Sequence, residues 1–316
     1  MHRIKPYLFA VTLIVYAAAG LANPKPASPS AAATSTATNY QFCIMEGVGK
    51  QQNQAEAEAM WEPLQQVVNK TLGAKTRFHL YQNFALIERD IKDANCDIAL
   101  IKPVHYAGMA MREHGYEPVV QVGGAYVGNF IVHRDSKLKS YEDLAGKTIM
   151  LPDEKSLQSL LAKRYIKEHP LNPPPVIKHT RLQETVLYSV ETGLADAGWV
   201  NPTLATQWVD KGSGWMTGAI RDSVIQTLEK NNDTRRIEEL KEEATKKQRI
   251  LHKSDPYPYW IIVASKKING RSGQIRQALL QFAQDPANKA TLEGLGIKKG
   301  FIEVDDKARK FYESLI

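Results

Sequence analysis

From Tyr40 onward the chain alternates short apolar runs with longer stretches of helical period, and this alternation restricts the available folds more than any other feature. QFCIM, TRFHL, DIALI and PVVQV are short, rich in β-branched and aromatic side chains, and read as strands. Helical patterns separate them, around 55–72, around 84–94 and from about Pro103. A βαβα order predicts a parallel sheet with helical crossovers. After the glycines of GGAYVG comes another strand, NFIVH. A second α/β set then follows: KTIMLP, a helix over 156–168, PVIKH, a helix over 183–192, and DAGWV. The NPPP run at 172–175 stops the preceding helix, and Pro202 suits a helix start.

Residues 219–249, centred on IEELKEEATKKQR, predict one or two solvated helices laced with Glu–Lys pairs. YWIIVASKK reads as a late strand. Helices are expected around 273–284, 288–295 and 306–315.

The first 22 residues predict an export signal. Arg3 and Lys5 give a positive start, residues 8–20 are uncharged and mostly apolar, and Gly20 and Ala22 offer a small-residue cleavage site. An apolar run of this length falls short of the roughly 20 residues that span a bilayer. Residues 23–39 hold only small, polar and proline side chains, which cannot bury enough surface to offset ordering, so a flexible leader is expected. The formal charge of +7 becomes +5 without Arg3 and Lys5. That surplus is interspersed with acidic residues, which argues against a nucleic-acid partner, although a mild positive field helps to collect anions.

The two cysteines, in an oxidising compartment, pose one question. Cys43 lies in the first predicted strand and Cys96 precedes DIALI. Adjacent strands would permit a disulfide; otherwise both are inert buried thiols.

Several longer stretches carry a family resemblance: ALIERDIKDANCDIALIKPVHYAG, GNFIVHRDSKLKSYEDLAGKTIMLPD, ETVLYSVETGLADAGWVNP, SDPYPYWIIVASKKI and GLGIKKGFIEV. Over Phe78 to Val304 the chain resembles the phosphate/phosphite/phosphonate-type periplasmic substrate-binding proteins of ABC transporters. The resemblance implies a type II periplasmic-binding-protein-like α/β fold, two lobes joined by two hinge crossings. Lobe 1 would comprise residues 40–125 plus 258–316, and lobe 2 residues 126–257. It also implies a monomeric receptor without catalysis or cofactor, which captures a small anionic, phosphonate-like or zwitterionic solute in the interlobe cleft. An ABC permease is the implied partner. A ligand-sensing protein feeding a membrane sensor kinase is the alternative.

In open α/β sheets, ligands bind beyond the carboxyl ends of strands, near helix N-termini. That rule selects Tyr81, Gln82 and Phe84 after TRFHL, Lys102, Pro103, His105 and Tyr106 after DIALI, and Asp153 to Ser156 after TIMLP. Asn201 is a further ligand-binding candidate. By resemblance, Tyr106 falls on a ligand-contacting tyrosine and Ser156, with Lys155 beside it, on the anion-binding helix start. Phe84 stands where the family usually has a second tyrosine, Gln183 where it has a histidine, and Thr203 where it has an acidic residue. The faces of Tyr81, Tyr126, Trp199 and Tyr257 offer further stacking surfaces.

Other signals carry less. GVGK at 47–50 lacks the spacing of a nucleotide-phosphate loop and predicts a turn. The eight histidines show no paired metal-ligand spacing, so no metal site is expected. A hydrolase would need a triad such as Ser156, His179 and Asp196, yet no G-x-S-x-G elbow surrounds that serine.

Overall fold

The chain path begins with four strands that point the same way: β1 (Gln41–Met45), β2 (Arg77–Tyr81), β3 (Ile98–Ile101) and β4 (Glu117–Val122). Helices α1 (Gln54–Leu72), α2 (Phe84–Lys92) and α3 (Val104–His114) connect them. The computed structural model describes residues 40–46, 53–206, 226–237 and 247–315. The expected export signal at 1–22, the leader at 23–39, the GVGK turn and most of the charged segment at 219–249 lie outside those residues.

The helices start and stop where the sequence chemistry dictates. Asn53 caps α1 by accepting from the Glu56 N–H at 2.8 Å, and Gly73 closes it in the left-handed region. Its buried face, Trp61, Leu64, Val68 and Leu72, follows helical spacing.

After β4 the chain crosses through β5 (Ala125–Tyr126) into a second layer: β6 (Asn129–His133), β7 (Thr148–Leu151), α4 (Leu157–Glu168), β8 (Val176–His179), α5 (Gln183–Glu191), β9 (Ala197–Val200), α6 (Pro202–Ala205) and β10 (Gln248–Lys253). It returns through β11 (Tyr257–Pro258) to β12 (Ile261–Ala264), α7 (Ser272–Gln284), α8 (Lys289–Gly294), β13 (Phe301–Ile302) and α9 (Asp306–Glu313). The six-stranded sheet has the order β13-β4-β12-β3-β1-β2, and the five-stranded sheet β10-β6-β9-β7-β8. The two crossings form a ladder of their own, with Tyr126 opposite Tyr257 and Ala125 opposite Pro258.

The sheets are mixed, which corrects the expectation of a purely parallel arrangement. β12 runs antiparallel to β3 and β4, and β6 runs antiparallel to β9 and β10. The reason is directional. A strand that enters a sheet from a crossing starts at the crossing and runs away from it, whereas β1 to β4 and β7 to β9 run toward it. A second correction concerns the end of the charged segment. Residues 226–230 and 234–237 are helical, but Gln248–Lys253 is a strand paired with β6. Its polar letters conceal a partly buried edge strand.

Cys43 and Cys96 form a disulfide with Cα atoms 5.9 Å apart, linking the middle of β1 to the approach to β3. The largest buried cluster runs through the crossings and includes Tyr126, Phe130, Trp199, Tyr257 and Tyr312. Two glycines of the first crossing have separate reasons. Gly124 sits at φ +105°, closed to most side chains, and a Cβ on Gly128 would lie 1.8 Å from the Trp199 ring. The Gly128 N–H donates to Ser254 Oγ at 2.9 Å and its carbonyl accepts from the Ser254 N–H at 2.9 Å, tying the crossings together.

Gly128→Ala drives a methyl group into a fully buried indole, so it should destabilise the fold by about 3 kcal/mol. Chemical denaturation of the variant checks this; a loss below 1 kcal/mol would show that Trp199 repacks freely.

Candidate functional site

The strands that run toward the crossings deliver their carboxyl ends to one cavity of about 550 Å³. Glu46 follows β1, Lys102 follows β3, Pro152 and Asp153 follow β7, and Asn201 follows β9, all on its wall. Trp260 and Tyr259 come from the start of β12, and residues 293–296 close one side.

On the side of the six-stranded sheet, Lys102 Nζ lies 3.2 Å from Glu46 Oε2, both side chains being largely buried. The ammonium sits 3.9 Å from the centroid of the Trp260 ring and 5.6 Å from that of Trp61, a cation held against indole faces. Trp61 Nε1 donates to Glu46 Oε1 at 3.1 Å, so the carboxylate is oriented as well as paired. Removing one member of such a pair leaves a buried charge, which is why buried pairs hold their geometry firmly.

On the opposite wall the start of α4 is built by local hydrogen bonds. Asp153 accepts from the N–H of Lys155 at 2.8 Å and of Ser156 at 2.9 Å. Ser156 is the N-cap, accepting from the Ser159 N–H at 3.2 Å, and is almost fully buried. The first-turn N–H groups of a helix lack intrahelical acceptors and carry the positive end of its dipole. Beside it, Gln183 Oε1 accepts from the Asn201 N–H at 2.9 Å, and Asn201 Oδ1 caps α6 by accepting from Leu204 at 2.7 Å.

At the base between the sheets lies Tyr126, 5% exposed, its hydroxyl pKa raised by burial. The Trp199 indole N–H is near enough to favour its ionised form, but neither polar atom reaches hydrogen-bond geometry. Tyr106 stacks behind Phe84 with ring centroids 5.5 Å apart, and its hydroxyl is pushed up to about 12, by burial first and then by the charges of Glu88 and Asp153.

Of the residues selected from sequence, Phe84, Lys102, Pro103, Tyr126, Asp153, Ser156, Gln183, Asn201 and Thr203 line the cavity. Tyr106 supports Phe84 from behind, and Lys155 is exposed next to Ser156. Three aromatic candidates stand away from the wall. Tyr81 donates to Asp90 Oδ2 at 2.6 Å and lies 3.3 Å from the Cys96 sulfur, Trp199 is enclosed by Gly128 and Phe130, and Tyr257 stacks on Phe311 at 5.4 Å. The strand-end rule applied to β1 and β8 would have found Glu46 and Arg181. Trp260 escaped because an antiparallel strand presents its amino end to the site. The wall formed by 293–296 has no local signature.

The lining is of mixed sign: Glu46, Asp153, Glu184 and Glu293 stand against Lys102 and Arg181. It therefore offers acceptors for a cationic group as well as N–H groups and cations for an oxyanion.

Residues 47–308 match the family described as ABC transporter, phosphonate, periplasmic substrate-binding protein. No curated protein matches the sequence significantly. Several solved structures share the fold. A Xanthomonas citri protein bound to ATP superposes with a TM-score of 0.60 at 16% identity, covering 87% of this chain and 95% of that one. A binding protein component of an ABC phosphonate transporter from Pseudomonas aeruginosa gives 0.55 at 17% identity, covering 86% and 84%. PhnD1 from Prochlorococcus marinus in complex with methylphosphonate gives 0.56 at 15% identity, covering 87% and 97%.

His105, in the first turn of α3, is 7% exposed and packs on Tyr106 with centroids 4.2 Å apart. Burial lowers its pKa from 6.5 to about 4, against a smaller upward pull from a hydrogen bond to the Lys155 backbone. The unfolded chain therefore takes up a proton at this residue below about pH 6.5 that the folded chain refuses until about pH 4, so stability falls with acidification across that window. A depression of this size corresponds to roughly 3 kcal/mol. His105→Gln should flatten the pH dependence of denaturation between pH 6.5 and 4; an unchanged slope would place the proton uptake elsewhere.

Proposed function

This chain belongs to the phosphonate periplasmic substrate-binding protein family of ABC transporters, and from that premise we propose that it captures a zwitterionic phosphonate, an oxyanion head joined to an ammonium group. Members of such a family are periplasmic binding proteins and perform no chemistry on their solute. In this reading residues 1–22 are the export signal, and residues 40–125 with 258–316 and residues 126–257 are the two lobes. The receptor works as a monomer whose closed form delivers the solute to a membrane permease.

The observation that carries the reading is the mixed charge of a cavity formed at the carboxyl ends of parallel strands. The oxyanion head docks at the start of α4, on first-turn N–H groups and the Ser156 hydroxyl, which need no buried counter-charge to bind an anion. Asp153 stands beside that helix start, so a fully dianionic ligand without a cation of its own meets repulsion there. The ammonium group turns to the carboxylates of Glu184 and Glu293 and to the aromatic face of Phe84. The family resemblance and the methylphosphonate complex of PhnD1 support the head group; the carboxylates support the ammonium.

Thermal denaturation with aminoethylphosphonate, methylphosphonate, phosphate and amino acids tests this. Aminoethylphosphonate at 100 times its dissociation constant should stabilise the fold by about 2.7 kcal/mol, and Ser156→Ala should weaken its binding about tenfold, equivalent to about 1.4 kcal/mol. Equal or tighter binding of methylphosphonate would remove the ammonium from the proposal, and stabilisation by amino acids alone would remove the phosphonate.

A further inference from the structure

We propose that α4 is clasped at its carboxyl end by the six-stranded half of the molecule, and that this clasp, through Arg164, sets how far the unliganded protein stands open. The inference rests on the two-lobe binding reading above, but its first measurement needs no ligand.

The amino end of α4 is held within its own half of the molecule, where Ser156 caps it and Ser159 Oγ donates to the Pro152 carbonyl at 3.1 Å. At its carboxyl end, α4 meets α9. Arg164 Nη1 donates to Ser314 Oγ at 2.7 Å, and the guanidinium carbon lies 5.1 Å from the centroid of the Phe311 ring. Arg164 Nε is engaged by Glu168 Oε1 at 2.8 Å, within α4, which aims the guanidinium plane outward.

The receiving helix is firmly anchored. Tyr312, fully buried, donates to Gln121 Oε1 at 2.9 Å and to the Tyr259 carbonyl at 2.8 Å, fixing α9 to β4 and to the segment entering β12. Phe311 stacks on Tyr257 of the second crossing at 5.4 Å. Arg112 from α3 donates to the Glu313 carbonyl at 2.9 Å. Any hinge motion that draws α4 from α9 must therefore break the contacts of Arg164 with Ser314 and Phe311, because neither partner can follow. Those contacts lie outside the cavity lining. They favour the closed arrangement whether or not solute is present, and they act on affinity through the fraction of competent molecules rather than through solute contact.

Arginine is required at this position because one planar group serves one carboxylate acceptor, one hydroxyl acceptor and an aromatic face at once; a lysine ammonium does not reproduce that geometry. The test is small-angle X-ray scattering of the unliganded protein as wild type, Arg164→Ala, Arg164→Lys and Ser314→Ala, followed by titration with aminoethylphosphonate. A larger radius of gyration is expected for both Arg164 variants and a smaller increase for Ser314→Ala. Aminoethylphosphonate affinity should fall about fivefold for Arg164→Ala as the closed fraction falls, with the maximal ligand-induced compaction restored at saturation. Identical unliganded scattering for folded Arg164→Ala and wild type overturns the clasp. Should Arg164→Ala fail to fold, Ser314→Ala and Phe311→Leu decide by the same measurement. If the scattering changes but no aminoethylphosphonate binds, the clasp stands and the ligand proposal fails.

Discussion

The contact on which the rest of the structure depends is the closure of the two crossings against one buried indole. Trp199 fills the space beneath Gly128, packs its edge against Phe130, and leaves no room for a side chain at 128. Because the Gly128 and Ser254 backbones then approach closely enough to exchange hydrogen bonds, the two crossings run as a pair from Ser254 to Pro258. Strand direction follows from that pairing. A chain that leaves one sheet through the junction must enter the next running away from it, so β6 and β12 are reversed while their neighbours point their carboxyl ends inward. The cavity is the space into which those ends converge.

Most of the regular elements were legible because each carries its own period. The capped helices α1 and α4 and the uniformly apolar strands β3 and β9 have boundaries within a residue or two of those their sequences dictate, whereas β12 stops at Ala264, short of the YWIIVASKK run. What escaped depends on pairing rather than on composition. β5, β11 and β13 are two residues long and exist only because a partner lies opposite. QRILHK at β10 is as polar as the helical segment before it, and its pairing with β6, not its letters, makes it a strand. Antiparallel entry likewise belongs to chain path, which a list of elements in order does not contain.

Legibility of the site divides along the same line. The rule that ligands gather beyond carboxyl strand ends places Phe84, Lys102, Pro103, Asp153 and Ser156 on the cavity wall, and the family resemblance adds Gln183 and Thr203. The rule fails for Tyr81, where the last strand residue turns its ring to the helix-covered face and spends its hydroxyl on Asp90. Alternation of side chains along a strand explains the difference: the final residue of the strand can face the core, while the one or two residues after it have left the pleat. Trp199 and Tyr257 are large, partly polar side chains near the right strand ends, but they are committed to the junction itself.

The positions that depart from the family resemblance also have structural work in this chain. Gln183 uses its carbonyl oxygen to hold the Asn201 N–H, and Asn201 in turn caps α6. A histidine at 183 could present a ring nitrogen to the solute, but its imidazole would have to replace that amide bond as well. Phe84 gives up a hydroxyl yet keeps a ring that Tyr106 supports by stacking, so the wall stays rigid while losing a donor. Both positions keep the framework of the wall. In the proposed reading, selectivity rests on the charges of the wall, the Lys102–Glu46 pair and the carboxylates of Asp153, Glu184 and Glu293. Such a wall discriminates, in that reading, by whether the solute brings its own cation, because a bare anion must approach those carboxylates uncompensated.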